Sequence, residues 1–328
     1  MDDVVGFGSL NVDTIYETED LAFLEPFYPE GKRRREWVLT DPAEIRAVQK
    51  AIRGKTRLIS RTGGGSAANT VFSLAKMGFL SGMVGKVGQD EDGDFILKEM
   101  ALIPRLHLGR DHLTGNALII LGPDRDRIIL LLPNANRELT WADIDPDFVR
   151  TFRILHLTSI LGEGLSLQER LAREVAGQIQ ISFDPGEVYA QRGLKDLAPL
   201  LARCHLLFIT QGELELLTGR EWRDGVKEIL DLGTRIIAVK KKGSGAFIQE
   251  AAGVWELPAP IIHAKDTTGA GDVFAAGFLG GYLRGLPLPA CGSLGLAMAH
   301  QSMGGVGRKA YPTREDFEAA AKRLVCTL

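Results

Sequence analysis

Residues 266–278 have the sequence DTTGAGDVFAAGF, and this stretch decides both how the fold ends and where its chemistry lies. Small residues lead directly into an apolar run, which predicts a turn and then a helix whose first backbone N–H groups are free to bind a phosphoryl group. Asp272 falls in the first helical turn, where a carboxylate can accept the proton of an alcohol that attacks the γ-phosphate. The alternative is that the glycines only permit a tight turn and Asp272 caps the helix. The candidate N–H groups belong to Gly269, Ala270 and Gly271.

Upstream of this stretch, short β-branched runs alternate with segments of helical periodicity from about residue 154 onward. Such alternation is typical of βαβ units on a parallel sheet. With a further strand at 4–7, we predict an α/β core, a doubly wound and mostly parallel sheet flanked by helices. The predicted strands are 154–157, 179–183, 206–210 and 235–239, and the predicted helices are 165–175, 194–202, 226–232, 270–283, 288–303 and 314–325.

Two segments interrupt the alternation. In the second of them, 116–121 and 127–132 flank the turn sequence GPDRD, which predicts an antiparallel hairpin. The first contains a predicted helix at 41–52, and we expect both segments to form a small β-sheet lid. The predicted division is a nucleotide-binding and catalytic core of 1–13, 56–107 and 134–328, with a substrate lid of 14–55 and 108–133.

The composition excludes several classes of protein. The 328 residues include 39 basic and 42 acidic side chains, a net charge of −3, whereas a dedicated nucleic-acid-binding protein usually has a basic excess. The three cysteines are far apart and form no C-x-x-C pair, so neither a disulfide framework nor a zinc site is predicted. No window approaches the ~20 apolar residues of a membrane helix, and no export segment is recognisable. We therefore expect a cytoplasmic protein with no nucleic-acid or membrane partner.

A second glycine-rich turn, TGGGSAANT at residues 62–70, opens another helix. Gly64 and Gly65 leave room for a polar ligand to approach the backbone, and Asn69 offers a hydroxyl group both a donor and an acceptor. Asn11 and Asp13, at the end of the first strand, offer similar contacts. Each of these residues alone is equally consistent with a cap or a turn.

Together these motifs resemble the two signatures of the ribokinase-like, phosphofructokinase-B family of carbohydrate kinases. The similarity runs from 8–13 through 84–90 and 133–136 to 312–313. It implies a ribokinase-like α/β core with a β lid, ATP as donor, Mg²⁺, and transfer of the γ-phosphoryl group to a primary hydroxyl of a sugar or nucleoside. By this resemblance Asp272 is the catalytic base, Gly269, Ala270 and Gly271 form an anion hole, and Asn11, Asp13, Gly64, Gly65 and Asn69 hold the substrate.

The sequence also departs from the family pattern. Glu213 precedes a Leu-Thr-Gly as in the family, and we predict that it orders Mg²⁺ through water, but Thr210 occupies the usual Asn position. The nucleotide loop is predicted to use Lys240, Gly243, Gly245 and Thr267, with Lys242 replacing a glycine. A solvated basic strand edge is the alternative for its lysines. A monovalent cation such as K⁺ would bind the loops 266–268 and 304–308.

The leading functional hypothesis is an ATP-dependent sugar kinase of the ribokinase or fructokinase type. A nucleoside kinase is the main alternative, because the long segment after Asp13 resembles an enlarged lid whose Phe23, Phe27 and Trp37 can cover a base. A sugar-sensing protein without catalytic activity is the third hypothesis, and the presence of Asp272 beside an intact glycine turn argues against it. We also allow for a homodimer formed through the lid.

Overall fold

The computed structural model describes residues 1–28, 36–123, 127–241, 243, 245–259 and 266–325. In these residues the strands form one sheet of nine and one sheet of five. The strands, in chain order, are β1 (Asp2–Phe7), β2 (Asn11–Glu17), β3 (Glu36–Val38), β4 (Arg57–Gly64), β5 (Ser81–Val87), β6 (Arg105–Arg110), β7 (Gly115–Leu121), β8 (Arg127–Leu132), β9 (Phe152–Thr158), β10 (Gln180–Asp184), β11 (Leu206–Thr210), β12 (Ile236–Lys241), β13 (Gly245–Glu250) and β14 (Gly253–Leu257). The α-helices are α1 (Pro42–Ile52), α2 (Ser66–Lys76), α3 (Glu91–Glu99), α4 (Pro146–Arg150), α5 (Gly164–Glu174), α6 (Gly186–Ala190), α7 (Leu194–Leu201), α8 (Gln211–Thr218), α9 (Trp222–Asp231), α10 (Ala270–Leu283), α11 (Leu288–Ser302) and α12 (Arg314–Val325).

The large sheet has the order β14-β13-β12-β11-β10-β9-β1-β5-β6. Its strands from β12 to β6 are parallel, and β13 and β14 extend one side in antiparallel orientation. Neighbouring residues face opposite layers, since Val4 and Leu206 join one hydrophobic cluster while Val5 and Leu207 join another. Burial of both faces explains why these strands have continuous apolar runs. The predicted doubly wound, mostly parallel sheet is confirmed.

Helices cover both faces of this sheet. The first cluster takes apolar residues from α2, α10, α11 and α12, and the second takes them from α5, α7, α8 and α9. All the core helices predicted from periodicity are present, although α9 begins earlier than predicted, at Trp222. Among the helices described here, none is long and apolar enough to cross a membrane.

The second sheet, which we call the lid sheet, has the order β3-β8-β7-β2-β4. The predicted hairpin is confirmed as the antiparallel pair of β7 and β8. The predicted helix at 41–52 is confirmed as α1, whose N-cap Asp41 accepts a hydrogen bond from the Ala43 N–H at 2.8 Å. Trp37 and Val48 belong to the separate hydrophobic cluster that this sheet and α1 enclose.

The strands differ from the predicted division into core and lid at three places. β2 begins at Asn11, within the predicted core segment 1–13. β4 pairs with β2 in the lid sheet, although the sequence assigns 56–107 to the core. β6 continues the large sheet to Arg110, although the sequence assigns 108–133 to the lid. Both β4 and β6 are edge strands, and an edge strand lacks the continuous apolar pattern by which the central strands are recognised.

Candidate active site

A cavity of about 420 Å³ lies between the lid sheet and the carboxyl ends of the parallel strands. The carboxyl ends of β10, β11 and β12 contribute Asp184, Thr210 and Lys240, as expected for an open α/β sheet, whose ligands bind at that edge. Most of the site residues predicted from the sequence line this cavity: Asn11, Asp13, Gly65, Asn69, Glu213, Lys240, Thr267, Gly269, Gly271 and Asp272. Four predicted residues are not among the described lining residues: Gly64, Ala270, Gly243 and Gly245.

Asp272 lies in the first turn of α10 and faces the cavity. Its Oδ2 accepts a hydrogen bond from Asn69 Nδ2 at 2.9 Å. Desolvation by the surrounding protein raises the pKa of Asp272 to about 7, although the hydrogen bond from Asn69 acts in the opposite direction. A carboxylate with a pKa near neutrality is suited to accept and release a proton during a reaction.

The backbone around the start of α10 has the conformation that the glycines permit. Gly269 has a φ of +75°, and a Cβ at this position would overlap the hydroxyl oxygen of Tyr311. The Ala270 N–H makes a long hydrogen bond, 3.3 Å, to the Thr267 carbonyl. A Cβ at Gly271 would lie 3.4 Å from Lys240 Nζ, so the Lys240 ammonium group lies beside the N-terminus of α10. The helix N-terminus and this ammonium group both place positive charge near Asp272.

Asp13 is buried on β2, with 8% of its surface exposed. A Cβ at Gly64 would overlap the Asp13 carboxylate, so Gly64 acts by leaving room for this side chain rather than by lining the cavity. Burial raises the pKa of Asp13 to about 7, and the Arg308 guanidinium opposes this rise. By the resemblance, Asp13 and Gly64 are both predicted to contact the substrate. The close packing of one against the other is not predicted by the motif.

Asn136, from a distant part of the chain, holds the link between β1 and β2 and the first residue of β2. Asn136 donates from Nδ2 to Asn11 Oδ1 at 2.9 Å, and its Oδ1 accepts from the Leu10 N–H at 2.8 Å. Asn136 lines the cavity, and sequence reasoning did not assign it to the site. The sequence did contain a signal for Asn136, because this residue belongs to the segment 133–136 that resembles the family.

Asn69 is already engaged by protein atoms. Its Oδ1 accepts a hydrogen bond from Arg308 Nε at 3.0 Å, and its Nδ2 donates to Asp272. The sequence predicts that the amide offers a hydroxyl both a donor and an acceptor. One lone pair of the oxygen is used by Arg308 and one amide hydrogen by Asp272, so a hydroxyl would have to share this amide with the two protein side chains.

Lys240 was predicted to bind the nucleotide, and the structure places it in the cavity against a carboxylate that sequence reasoning missed. Its Nζ lies 2.5 Å from Asp184 Oδ2. Burial alone would lower the pKa of Lys240, but the negative charges of Asp184 and Glu213 outweigh it and raise the pKa. Asp184 directly follows a predicted strand, and that position was the available signal.

Glu213 and Thr210 form a reciprocal cap at the start of α8. The Thr210 N–H donates to Glu213 Oε2 at 2.8 Å, and the Glu213 N–H donates to Thr210 Oγ1 at 3.3 Å. Thr210, in the position where the family has Asn, thus completes a capping box. In the part of the chain that the structure covers, no group of three or more His, Cys, Asp or Glu residues could hold a metal ion by itself.

The predicted nucleotide loop lies between β12 and β13. Gly243 and Gly245 have φ values of +71° and +108°, and a Cβ at Gly245 would overlap the Leu257 carbonyl oxygen. These glycines therefore form the turn. Lys242, the replacement noted in the sequence, lies outside the described residues.

Comparisons with known proteins show the family and the fold to which the chain is similar. The family profile described as pfkB family carbohydrate kinase matches residues 43–314. An uncharacterised sugar kinase of Archaeoglobus fulgidus is 33% identical over 231 residues, which cover 68% of this chain and 90% of that protein. The ATP-dependent ribose-1-phosphate kinase of Halopiger xanaduensis is 30% identical over 227 residues, or 68% of this chain and 74% of that protein. The crystal structure of adenosine kinase from Sinorhizobium meliloti matches with a TM-score of 0.85 at 23% identity, covering 98% of this chain and 99% of its own. The predicted ribokinase-like α/β fold is confirmed.

Proposed function

We propose that this chain, which belongs to the pfkB family of carbohydrate kinases, transfers the γ-phosphoryl group of ATP to a primary hydroxyl of a sugar. The observation that carries the proposal is the Asp272 carboxylate at the first turn of α10, with the Lys240 ammonium group beside the same turn. A base and a concentration of positive charge are the two elements that phosphoryl transfer to an alcohol requires.

Each group has a distinct task in this reaction. Asp272 accepts the proton as the acceptor oxygen attacks the γ-phosphorus, and the bond to the ADP oxygen breaks. The N–H groups at the start of α10 and the Lys240 ammonium group stabilise the negative charge of the transferred group. Asp184 and Glu213 line the cavity with carboxylate oxygens, the ligand type that Mg²⁺ prefers, and either can hold it through water. Mg²⁺ held there would neutralise part of the negative charge of the phosphates.

The polar lining near Asp13 supports a sugar as the acceptor. Asn11, Asp13 and Asn116 from the lid sheet provide hydrogen-bonding groups for several hydroxyls. The carboxylates of Glu36 and Glu187 also line the cavity, and they disfavour an acceptor that already carries a phosphate. Among the acceptors named by the relatives, this favours a free sugar over a sugar phosphate.

A nucleoside is the second candidate acceptor, and a second cavity supports it. This cavity of about 520 Å³ shares Glu36, Leu161, Glu187 and Val188 with the first, so a ligand can extend from one into the other. Its lining includes Trp37, one of the aromatic residues predicted to cover a base. The shared residues form a junction suited to a flat base attached to a ribose.

A coupled assay of ATP consumption tests the proposal and separates the two acceptors. The acceptors would be ribose, fructose, ribose 1-phosphate, adenosine and cytidine. We expect a free sugar to give the highest kcat/KM, and Trp37→Ala, which alters the second cavity but not the lining of the first, to change that value little. A nucleoside with a higher kcat/KM, whose KM rises strongly in Trp37→Ala, would replace the sugar assignment. No acceptor-dependent consumption with any of the five would contradict the proposed function.

We propose three further features. A monovalent cation is supported by Asp266 Oδ2, which is buried without a hydrogen-bond partner among the described residues, and comparing activity in KCl and choline chloride tests it.

A homodimer through the lid is supported by the exposed Leu58 and Ile59 on edge strand β4, and sedimentation of Leu58→Lys against wild type tests it. A cytoplasmic location is supported by Cys204 and Cys291 being free and buried, and cell fractionation tests it.

A further inference from the structure

Arg308 lies in a short turn after α11, and its side chain is buried with 4% of its surface exposed. Nε donates to Asn69 Oδ1 at 3.0 Å, Nη2 donates to the Gly64 carbonyl at 3.3 Å, and the Phe72 ring lies 4.9 Å from the guanidinium carbon. Nη1 is buried and has no hydrogen-bond partner among the described residues. Burial of a cation with an unused donor carries a cost, which the negative charges of Asp13, Glu99 and Asp272 partly offset.

The chemistry of the three side chains fixes the direction of the hydrogen bonds. A guanidinium group can only donate, so the Asn69 amide must turn its oxygen towards Arg308. Its NH₂ group then faces Asp272, and the 2.9 Å bond that it donates is stronger to the ionised carboxylate than to the protonated carboxyl group. Without Arg308 the amide could rotate, and its oxygen would face Asp272 and favour the protonated carboxyl group.

We propose that Arg308 is a positioning residue that fixes the orientation of the Asn69 amide and thereby favours the ionised form of Asp272, which acts as the base. The inference rests on the proposed role of Asp272. Arg308 is not among the described residues that line the cavity, and its hydrogen bond to Asn69 is the contact that links it to Asp272.

Charged and titratable groups surround both Arg308 and Asp272, the two residues that Asn69 connects. Loss of the Asn69 hydrogen bond would raise the pKa of Asp272 further, since that bond opposes the effect of desolvation. The groups that act on Asp272 are Asp184, Lys240, Asp13, Arg308 and Tyr311, and those that act on Arg308 are Tyr311, Asp13, Glu99 and Asp272.

The test measures kcat against pH for Arg308→Met, with MgATP and the best acceptor from the panel of five. We expect kcat to fall by about 100-fold, a typical loss for a misplaced catalytic group, with the KM for ATP unchanged. The acid limb of the pH profile should move to higher pH. In an Asn69→Ala background, Arg308→Met should reduce kcat much less than it does in the wild type, because the hydrogen bond to Asn69 is already lost and only the charge of Arg308 near Asp13 and Asp272 is removed.

The control is Lys309→Met, which removes the exposed neighbouring cation and should leave kcat and the pH profile unchanged. Asn69→Asp keeps a hydrogen-bond partner for Arg308 but removes the donor to Asp272. It therefore tests the link from Arg308 through Asn69 to Asp272 even if Arg308→Met fails to fold. It should lose activity and shift the acid limb upward. Equal losses from Arg308→Met in both backgrounds, or a wild-type profile in Asn69→Asp, would overturn the inference. Full turnover by Asp272→Asn would instead overturn the proposed function.

Discussion

Asp13 and Asp272 are carboxylates that the fold largely removes from water. Burial raises the pKa of each to about 7, opposed at Asp13 by Arg308 and at Asp272 by Asn69. An Asp in an unfolded chain titrates near a pKa of about 3.9. The folded state therefore holds these protons more tightly, so this contribution to stability is fully present below about pH 4 and is lost as the pH rises through about 7.

We predict that Asp13→Asn removes part of this pH dependence. Urea denaturation at about pH 5 and about pH 8 should show a lower free energy of unfolding for the wild type at the higher pH, and a smaller difference for the variant. Asp231→Asn, at an exposed position, is the control and should keep the wild-type difference. An Asp13→Asn difference as large as that of the wild type would show that this carboxylate is not the cause.

Whether a site residue could be predicted depends on how far apart in the sequence it and its contacts lie. Asp272 and Gly269 could be identified because a local glycine turn and a helix start define their roles. The partner of Asn69 could not, since Arg308 is 239 residues away and no local pattern marks it. The pairing of Asp184 with Lys240 could not be predicted for the same reason, because only the parallel order of β10, β11 and β12 brings the two residues together.

At the scale of elements, the capping box of α8 gives Glu213 a structural role beside its predicted metal role. We expect Thr210→Ala to lower the free energy of unfolding by about 1 kcal/mol while the Mg²⁺ requirement stays unchanged. Glu213→Gln should raise the Mg²⁺ concentration needed for half-maximal activity, because it removes a charge that lines the cavity. Magnesium titrations of the two variants check this, and the same shift in both would assign Glu213 to the cap alone.

The central elements followed from the sequence, and the peripheral strands did not. β11 and α10 lie where predicted, because a strand buried on both faces and an apolar helix after a glycine turn have strong local patterns. β4 was missed as a lid strand because it carries Leu58 and Ile59 on exposed positions beside charged residues. The sheet to which an edge strand belongs is decided by its pairing partner, which the sequence of one strand does not contain.

At the scale of the whole molecule, the lid sheet carries Asn11 and Asp13 over the carboxyl ends of the core strands. We predict that it closes when the acceptor binds and excludes water that would otherwise take the phosphoryl group. Hydrogen exchange should slow in 11–17 and 115–121 with saturating acceptor, while α7 and α12, which contribute none of the described lining residues of the cavity, stay unchanged as an internal control. Unchanged exchange in both lid segments would contradict closure.

The central claim is that Asp272 is the base of a phosphoryl transfer from ATP. The most direct measurement follows radiolabelled γ-phosphate from ATP to the acceptor in a single turnover, comparing the wild type with Asp272→Asn. We predict that the label reaches the acceptor in the wild type, and that Asp272→Asn binds ATP with unchanged affinity but transfers the label about 10²- to 10⁴-fold more slowly. Transfer at the wild-type rate by a folded Asp272→Asn variant would contradict the account.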